Sequence, residues 1–264
     1  MENIALQLWT VREKFDADAA GVLSRVAEIG YPAIELVYGR TGGLAHARQR
    51  EICDDVGLRI AAMHCFFNEI EDELGGLIEA AQVLGVEHVV CSWMDPEHRA
   101  SADSYRAAAE VLAGAGARMR ERGLQLAYHH HDFELADVEG RRGIDYLWDV
   151  DADLLKAEVD TYWVHVAGLD VVEYLDSLGD RLALLHCKDR MRPGEQPLSQ
   201  PGEGLALYNR EVGEGVIDFP PILAAASHAR WLITEQDFSA GDPFDAAATS
   251  LRNLRRMLAT AAPA

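Results

Sequence analysis

The chain has 264 residues, of which 49% are hydrophobic and 26% charged, a composition typical of a folded globular protein. A net charge of −20, from 24 basic and 44 acidic residues, argues against nucleic acid and anionic membranes as partners, because binding them requires clustered positive charge. No apolar run approaches the ~20 residues that span a bilayer, and residues 1–4 do not begin a secretory signal, so we expect a cytoplasmic protein.

Short runs rich in Val, Ile and Leu recur along the chain, each followed by a polar residue and then a helical pattern. The runs lie at residues 4–9, 33–37, 58–64, 87–93, 124–129, 156–160, 182–186 and 231–235. Alternating strand and helix patterns are typical of parallel sheets. Eight such units in a chain close to the roughly 250 residues typical of the fold predict a single α/β domain over 1–264, a (β/α)8 TIM barrel.

Amphipathic helices are predicted between the runs, most clearly at residues 17–29, 104–120 and 244–258. An open doubly wound sheet is the rival architecture, but it usually has a glycine-rich turn after its first strand, and residues 7–12 contain no glycine. Residues 190–216, rich in Pro, Gly and Glu, are predicted to form a long loop after the seventh strand. It is interpreted either as a lid over the site or as a surface insertion.

Five of the eight predicted strands end at, or lead directly into, an ionisable residue. In a (β/α)8 barrel these ends form the active-site face. The residues are His64, the run 129–134, Asp160, His186 and Glu235. One such histidine is more often structural, but several charges aimed at a common axis cost several kcal/mol unless compensated. A divalent cation would compensate them.

Strand alternation indicates which side chains can reach that axis. Glu158 and Asp160 share one face of their strand, and His186 and Lys188 share a face of the next. Asp160 and His186 are therefore expected at the mouth, with Glu158 one layer deeper.

The same alternation separates the three consecutive histidines: His129 and His131 face inward and His130 outward, which argues against a three-histidine zinc site. The remaining oxygen-rich set comprises Glu134, Asp160, His186 and Glu235. Such donors favour Mn²⁺, with Mg²⁺, Co²⁺ or Zn²⁺ as alternatives.

Residues 128–135, YHHHDFEL, resemble the YHNHDFEF-like motif of one branch of the xylose-isomerase-like barrel superfamily, the sugar phosphate isomerase/epimerase family. Further matching stretches occur in the expected order at 7–12, 159–164, 186–189, 212–215 and 235–237. The resemblance implies a metal held by Glu134, Asp160, His186 and Glu235.

By similarity to the ketose epimerases of this superfamily, Glu134 and Glu235 would act as acid and base on a metal-bound enediolate. Those epimerases have a substrate-binding histidine where this chain has Trp163, and a substrate-binding arginine near the position of Arg192. Side chains expected to position or stack on the substrate are His64, His129, His131, Lys188, Trp9, Trp93, Trp163 and Arg192.

The leading prediction is therefore a metal-dependent isomerase or epimerase acting on a ketose or keto-sugar. The alternative is a dehydratase or lyase that eliminates a β-substituent from a keto-inositol or a 3-keto-glycoside in the same site. A metal-dependent endonuclease is disfavoured by the acidic charge, and a non-catalytic sugar-binding or partner subunit ranks last. A homo-oligomer is compatible with a barrel of this size, but no interface is identified.

Overall fold

Residues 3–195 and 208–261 are described in the computed structural model. Eight parallel strands close into a barrel in the order β1-β8-β7-β6-β5-β4-β3-β2, which confirms the predicted fold. In chain order they are Ile4–Gln7, Ala33–Val37, Arg59–Phe66, His88–Trp93, Gln125–His129, Lys156–Asp160, Leu182–Cys187 and Trp231–Thr234. The predicted runs agree with these strands to within two residues at either end.

Helices surround the barrel. Helices α1 to α10 are Arg12–Ala17, Ala19–Ile29, His46–Val56, Phe67–Leu84, Ala102–Arg120, Gly143–Leu147, Thr161–Val166, Val171–Leu178, Phe219–Ala225 and Pro243–Ala261. Turns of 3₁₀ helix occur at Leu8–Val11, Pro96–Arg99, Phe133–Leu135 and Gly179–Arg181. Two short antiparallel pairs join Asp137–Val138 to Arg141–Arg142 and Asp189–Arg190 to Asn209–Arg210.

The helix predicted at residues 17–29 begins two residues later than expected. The Asp18 side chain accepts a hydrogen bond from the Gly21 N–H, so Asp18 caps α2 and separates it from α1. At the other end Gly30 adopts φ 103°, a left-handed conformation that glycine takes without strain.

Strand alternation sorts the barrel side chains into two sets. In β1, Ile4 and Leu6 belong to the core between strands and helices, while Ala5 belongs to a separate apolar cluster inside the barrel. The inner cluster is rich in small side chains, including Ala33 and Ala127. This layer fills the barrel interior, so polar side chains further along the strands collect at the C-terminal end.

The predicted loop at 190–216 falls partly outside the described residues, which exclude 196–207. Its described ends form the antiparallel pair Asp189–Arg190 with Asn209–Arg210. The lid interpretation stays a prediction. Among the described residues, no helix has the length and apolar character needed to traverse a membrane.

Helix α5 contains two glycines in contrasting surroundings. A Cβ built on buried Gly116 would collide with the Leu154 carbonyl oxygen, whereas a Cβ on exposed Gly114 would meet nothing within 4 Å. We expect Gly116→Ala to lower the free energy of unfolding by about 1–3 kcal/mol through overpacking. Gly114→Ala should raise it by up to about 1 kcal/mol through helix propensity. Urea unfolding of both variants checks the pair; equal effects would contradict this helix packing.

Candidate metal and active site

A layer of buried carboxylates and imidazoles lies above the apolar floor of the barrel. His186 Nε2 is 2.7 Å from Glu35 Oε2 and 3.2 Å from Glu158 Oε2. His64 Nε2 is 2.7 Å from Glu158 Oε2 and 3.2 Å from Glu35 Oε2. Gln7 Nε2 also donates to Glu35 Oε2 at 2.8 Å. We call this group the deep layer.

Protonation in the deep layer follows from burial and mutual charge. Burial lowers the pKa of His64, but the Glu35 and Glu158 carboxylates outweigh it and raise that pKa to about 10. Burial, and then the Glu35 charge, raise the pKa of Glu158 to about 7. The deep layer therefore pairs carboxylates with imidazolium or imidazole N–H groups, as buried charges require.

A second cluster lies at the barrel mouth, where one potential ligand atom from each of Asp160, His186 and Glu235 lies within 4.8 Å of the others. Asp160 Oδ1 accepts hydrogen bonds from the N–H groups of Tyr162 and Trp163 at the start of α7. That capping fixes the carboxylate, while Asp160 Oδ2 is buried without a hydrogen-bond partner.

His186 connects the two layers through its two ring nitrogens. Its Nε2 faces Glu35 in the deep layer, and its Nδ1 lies 3.2 Å from Glu235 Oε2 at the mouth. A histidine that binds a metal usually donates its other N–H to a carboxylate, which fixes the ring. The deep layer thus orients His186 Nδ1 toward the mouth.

Lys188 brings positive charge to the same cluster. Its Nζ lies 2.6 Å from Asp237 Oδ2, 3.1 Å from Glu235 Oε2 and 3.7 Å from Asp160 Oδ2. Burial lowers the pKa of Lys188, but these three carboxylates outweigh burial and raise the pKa well above its ordinary value. The lysine is therefore an ammonium at neutral pH.

A cavity of about 820 Å³ opens above this cluster. The structure brings most of the expected residues to its wall: Trp9, His64, Trp93, His129, His131, Trp163, Lys188 and Glu235. Wall residues that sequence reasoning missed include Arg12, Phe66, Phe133, Asp237 and Phe238. A cavity of this size, with a polar floor and apolar sides, is typical of a small-molecule site.

Four of the predicted site residues are not among the described residues that line the cavity, namely Glu134, Asp160, His186 and Arg192. Tyr128, between inward-facing Ala127 and His129, belongs to the outer core, and its hydroxyl donates to Glu134 Oε1 at 2.6 Å. The His131 N–H donates to Glu134 Oε2 at 2.7 Å. The Glu134 carboxylate is thus held behind β5, apart from the clusters of potential ligand atoms.

Arg192 is exposed, and its Nε donates to the Gly215 carbonyl at 3.4 Å. His130 faces outward as expected, with its ring 5.6 Å from that of Tyr174. Both side chains therefore lie away from the cavity wall.

The model of the xylose isomerase-like TIM barrel family matches residues 23–257. The chain belongs to this family. It is 30% identical over 154 residues to an inosose dehydratase of Lacticaseibacillus casei, a match that covers 54% of this chain and 51% of that protein. The match thus spans about half the length of this relative.

Two solved structures share the fold of this chain. A sugar phosphate isomerase/epimerase from Parabacteroides distasonis has a TM-score of 0.77 at 22% identity, covering 99% of this chain and 94% of that one. The IOLI protein, solved with a zinc atom, has a TM-score of 0.76 at 17% identity, covering 99% of this chain and 100% of that one.

The residues at the mouth fit a divalent cation, the group that this family implies. Asp160 Oδ2 is a buried acceptor without a hydrogen-bond partner, and one ligand atom each of His186 and Glu235 lies within 4.8 Å of an Asp160 oxygen. One imidazole and two carboxylates are a donor set that divalent transition metals accept. His129 Nε2, 4.0 Å from Asp160 Oδ2, is a further nitrogen within reach.

The turn that follows Lys188 depends on Asp189. This buried carboxylate accepts hydrogen bonds from the N–H groups of Arg190, Gly213, Gly215 and Ile217 at 2.7–3.1 Å. One side chain thus links residue 190 to residues 213–217.

Asp189→Ala should lower the free energy of unfolding by about 3 kcal/mol or more, because several buried N–H groups would lose a charged acceptor. Chemical denaturation measures the change. Asp176→Ala, at an exposed position in α8, is the control and should change stability little. Near-equal midpoints for the two variants would contradict the role assigned to Asp189.

Proposed function

We propose that the protein is a divalent-metal-dependent enzyme that removes a proton from the carbon beside the carbonyl of a keto-sugar or keto-polyol in the cytoplasm. The favoured outcome is β-elimination, as in a dehydratase of a keto-inositol or a lyase of a 3-keto-glycoside. The substrate is a small molecule, in keeping with the net charge of −20.

The observation that carries this choice is the position of the acidic groups. Glu235 and Asp237 both contact Lys188 Nζ on one wall of the cavity, whereas Glu134 lies behind β5. Elimination needs a base for the carbon-bound proton and a positive group near the oxygens that gain charge. The arrangement supplies both on one wall, and the likeness to an inosose dehydratase supports the same outcome.

Glu235 is the proposed base. Burial raises its pKa, but Lys188 and His186 lower it to below the ordinary value, so the group is a carboxylate at neutral pH. It takes the proton from the carbon next to the carbonyl, and the C–O bond at the β-carbon breaks. Glu235 then gives this proton to the leaving oxygen, which departs as water or an alcohol and restores the carboxylate. The product is an α,β-unsaturated ketone.

Other side chains bind and orient the substrate. The Lys188 ammonium donates a hydrogen bond to a substrate oxygen that gains negative charge. Burial lowers the pKa of His129 and His131 well below the ordinary value, so these neutral imidazoles exchange hydrogen bonds with hydroxyl groups. The Trp163 ring centroid lies 5.2 Å from that of His131, and both side chains line the cavity.

Asp160, His186 and Glu235 would hold the cation, and the oxygen-rich set favours Mn²⁺ over Zn²⁺. A divalent cation supplies Lewis-acid stabilisation of negative charge at a carbonyl oxygen.

An isomerase or epimerase is the second candidate. His131 Nδ1 is buried without a hydrogen-bond partner on the β5 side of the cavity, where a second proton carrier would stand. In that reaction His131, rather than Glu134, would return the proton to the substrate.

A substrate screen in D₂O, with ketoses, inososes and 3-keto-glycosides, tests the proposal. Elimination predicts loss of water or of the aglycone, whereas isomerisation predicts deuterium uptake and an otherwise unchanged mass. Glu235→Gln should slow turnover by about 10²-fold or more, the usual effect of removing a general base. Glu134→Gln should keep most activity, because the glutamine can still accept the His131 N–H.

Turnover is compared in metal-loaded samples of both variants. A fall in turnover caused by lost metal is then distinguished from one caused by the lost base. Full turnover by metal-loaded Glu235→Gln would rule out Glu235 as the base. Equal losses in both variants would instead restore the two-glutamate scheme of the ketose epimerases.

A further inference from the structure

Two large aromatic side chains are exposed at the barrel mouth. Phe66 and Trp93 are 38% and 36% exposed, respectively. They are register partners at the ends of neighbouring strands β3 and β4, and both line the cavity. Exposed apolar surface beside a polar cavity marks a place where a ligand binds.

A hydrogen bond and ring contacts hold the Trp93 ring in place. Trp93 Nε1 donates to Asp95 Oδ1 at 3.1 Å, and its ring meets the Phe133 ring edge-on at 5.5 Å. The Arg99 guanidinium lies over the Phe133 ring, 3.7 Å from its centroid. This wall is thus preorganised rather than loosely exposed.

A second aromatic pair lies across the opening, near β1 and β8. The Arg12 guanidinium is 4.9 Å from the Trp9 centroid and 5.3 Å from that of Phe238. Arg12 Nη1 also donates to the carbonyls of Trp9 and Asp237, at 3.0 and 2.8 Å. We call Trp9, Phe66, Trp93, Phe133 and Phe238 the aromatic rim.

The cavity therefore has two chemically distinct parts. One part of its lining carries Lys188, Glu235 and imidazoles, which suit the hydroxyls and carbonyl of one sugar ring. Within the aromatic rim, Phe66 and Trp93 offer exposed ring surface that suits a flat apolar face. A volume of about 820 Å³ is in the upper part of the range for drug-sized ligands, larger than one monosaccharide requires.

We infer that the aromatic rim is a subsite for a second ring, so that the substrate is a glycoside rather than a free monosaccharide. The second ring presents an apolar face to Phe66 and Trp93, either as an aryl aglycone or as another pyranose. This inference rests on the proposed function, because it specifies which keto-sugars the elimination would act on. It favours the lyase outcome, in which the second ring is the leaving alcohol.

Binding is measured apart from turnover, by calorimetric titration of metal-loaded protein with unoxidised glycosides. The probes are methyl β-glucoside, phenyl β-glucoside and cellobiose. We expect at least one of the two-ring probes to bind about tenfold more tightly than the methyl glucoside, in line with aromatic stacking in other sites. Tighter binding of only phenyl β-glucoside, or of only cellobiose, supports the subsite and identifies which kind of second ring it binds.

Trp93→Ala and Phe66→Ala should remove most of this preference. Val83→Ala, which truncates another exposed apolar side chain, 42% exposed and outside the cavity, should keep it. The subsite is overturned if wild type binds all three probes equally or binds none. It is also overturned if the preference survives both rim variants.

Turnover of the corresponding 3-keto-glycosides is measured separately. No elimination together with an intact two-ring preference would refute the proposed function and leave the subsite standing. Elimination without any two-ring preference would refute the subsite and leave the proposed function standing.

Discussion

Pairing of buried charge constrains the active end of this barrel. Glu35, Glu158 and Asp160 are fully buried and Glu235 is nearly so, and an isolated buried carboxylate costs several kcal/mol. His64 and His186 balance the deep pair, and Lys188 contacts Glu235. The same Lys188 ammonium also faces Asp160 and Asp237, so one cation is shared by three carboxylates and the pairing within the described residues is incomplete at the mouth. A divalent cation there would complete it.

Strand alternation produces both layers from the same strands. β6 places Glu158 in the deep layer and Asp160 at the mouth two residues later, and β7 places His186 so that one ring reaches both. The deep carboxylates hold that ring by its Nε2, which leaves Nδ1 for the mouth. The proposed chemistry thus depends on residues such as Glu35 that are set below the cavity wall.

Most of the fold and the inner site could be predicted from the sequence. Strand ends are visible because apolar runs stop at His64, Asp160 and His186, and alternation separated His130 from its neighbours. Glu35 was missed because it lies within the run 33–37 instead of at its end, although an acid inside an apolar strand is itself a signal. The rim residue Phe238 follows β8 in a loop, where no periodicity indicates direction.

For Glu134, the role implied by the motif and the contacts of the carboxylate differ. The resemblance implied a metal ligand at this position, but a linear pattern does not indicate which side of the barrel wall a turn follows. Because Tyr128 faces outward and donates to Glu134, the carboxylate is drawn behind β5. The ligand role of Glu134 stays a prediction that metal analysis can decide.

Metal content of untagged protein, measured by mass spectrometry before and after equilibration with Mn²⁺, tests the central claim most directly. We predict about one equivalent in wild type and in Glu134→Gln, and loss of metal in Asp160→Asn and His186→Gln, as expected when a ligand is removed. A folded wild type without metal under either condition would contradict the account, as would loss of metal from Glu134→Gln alone.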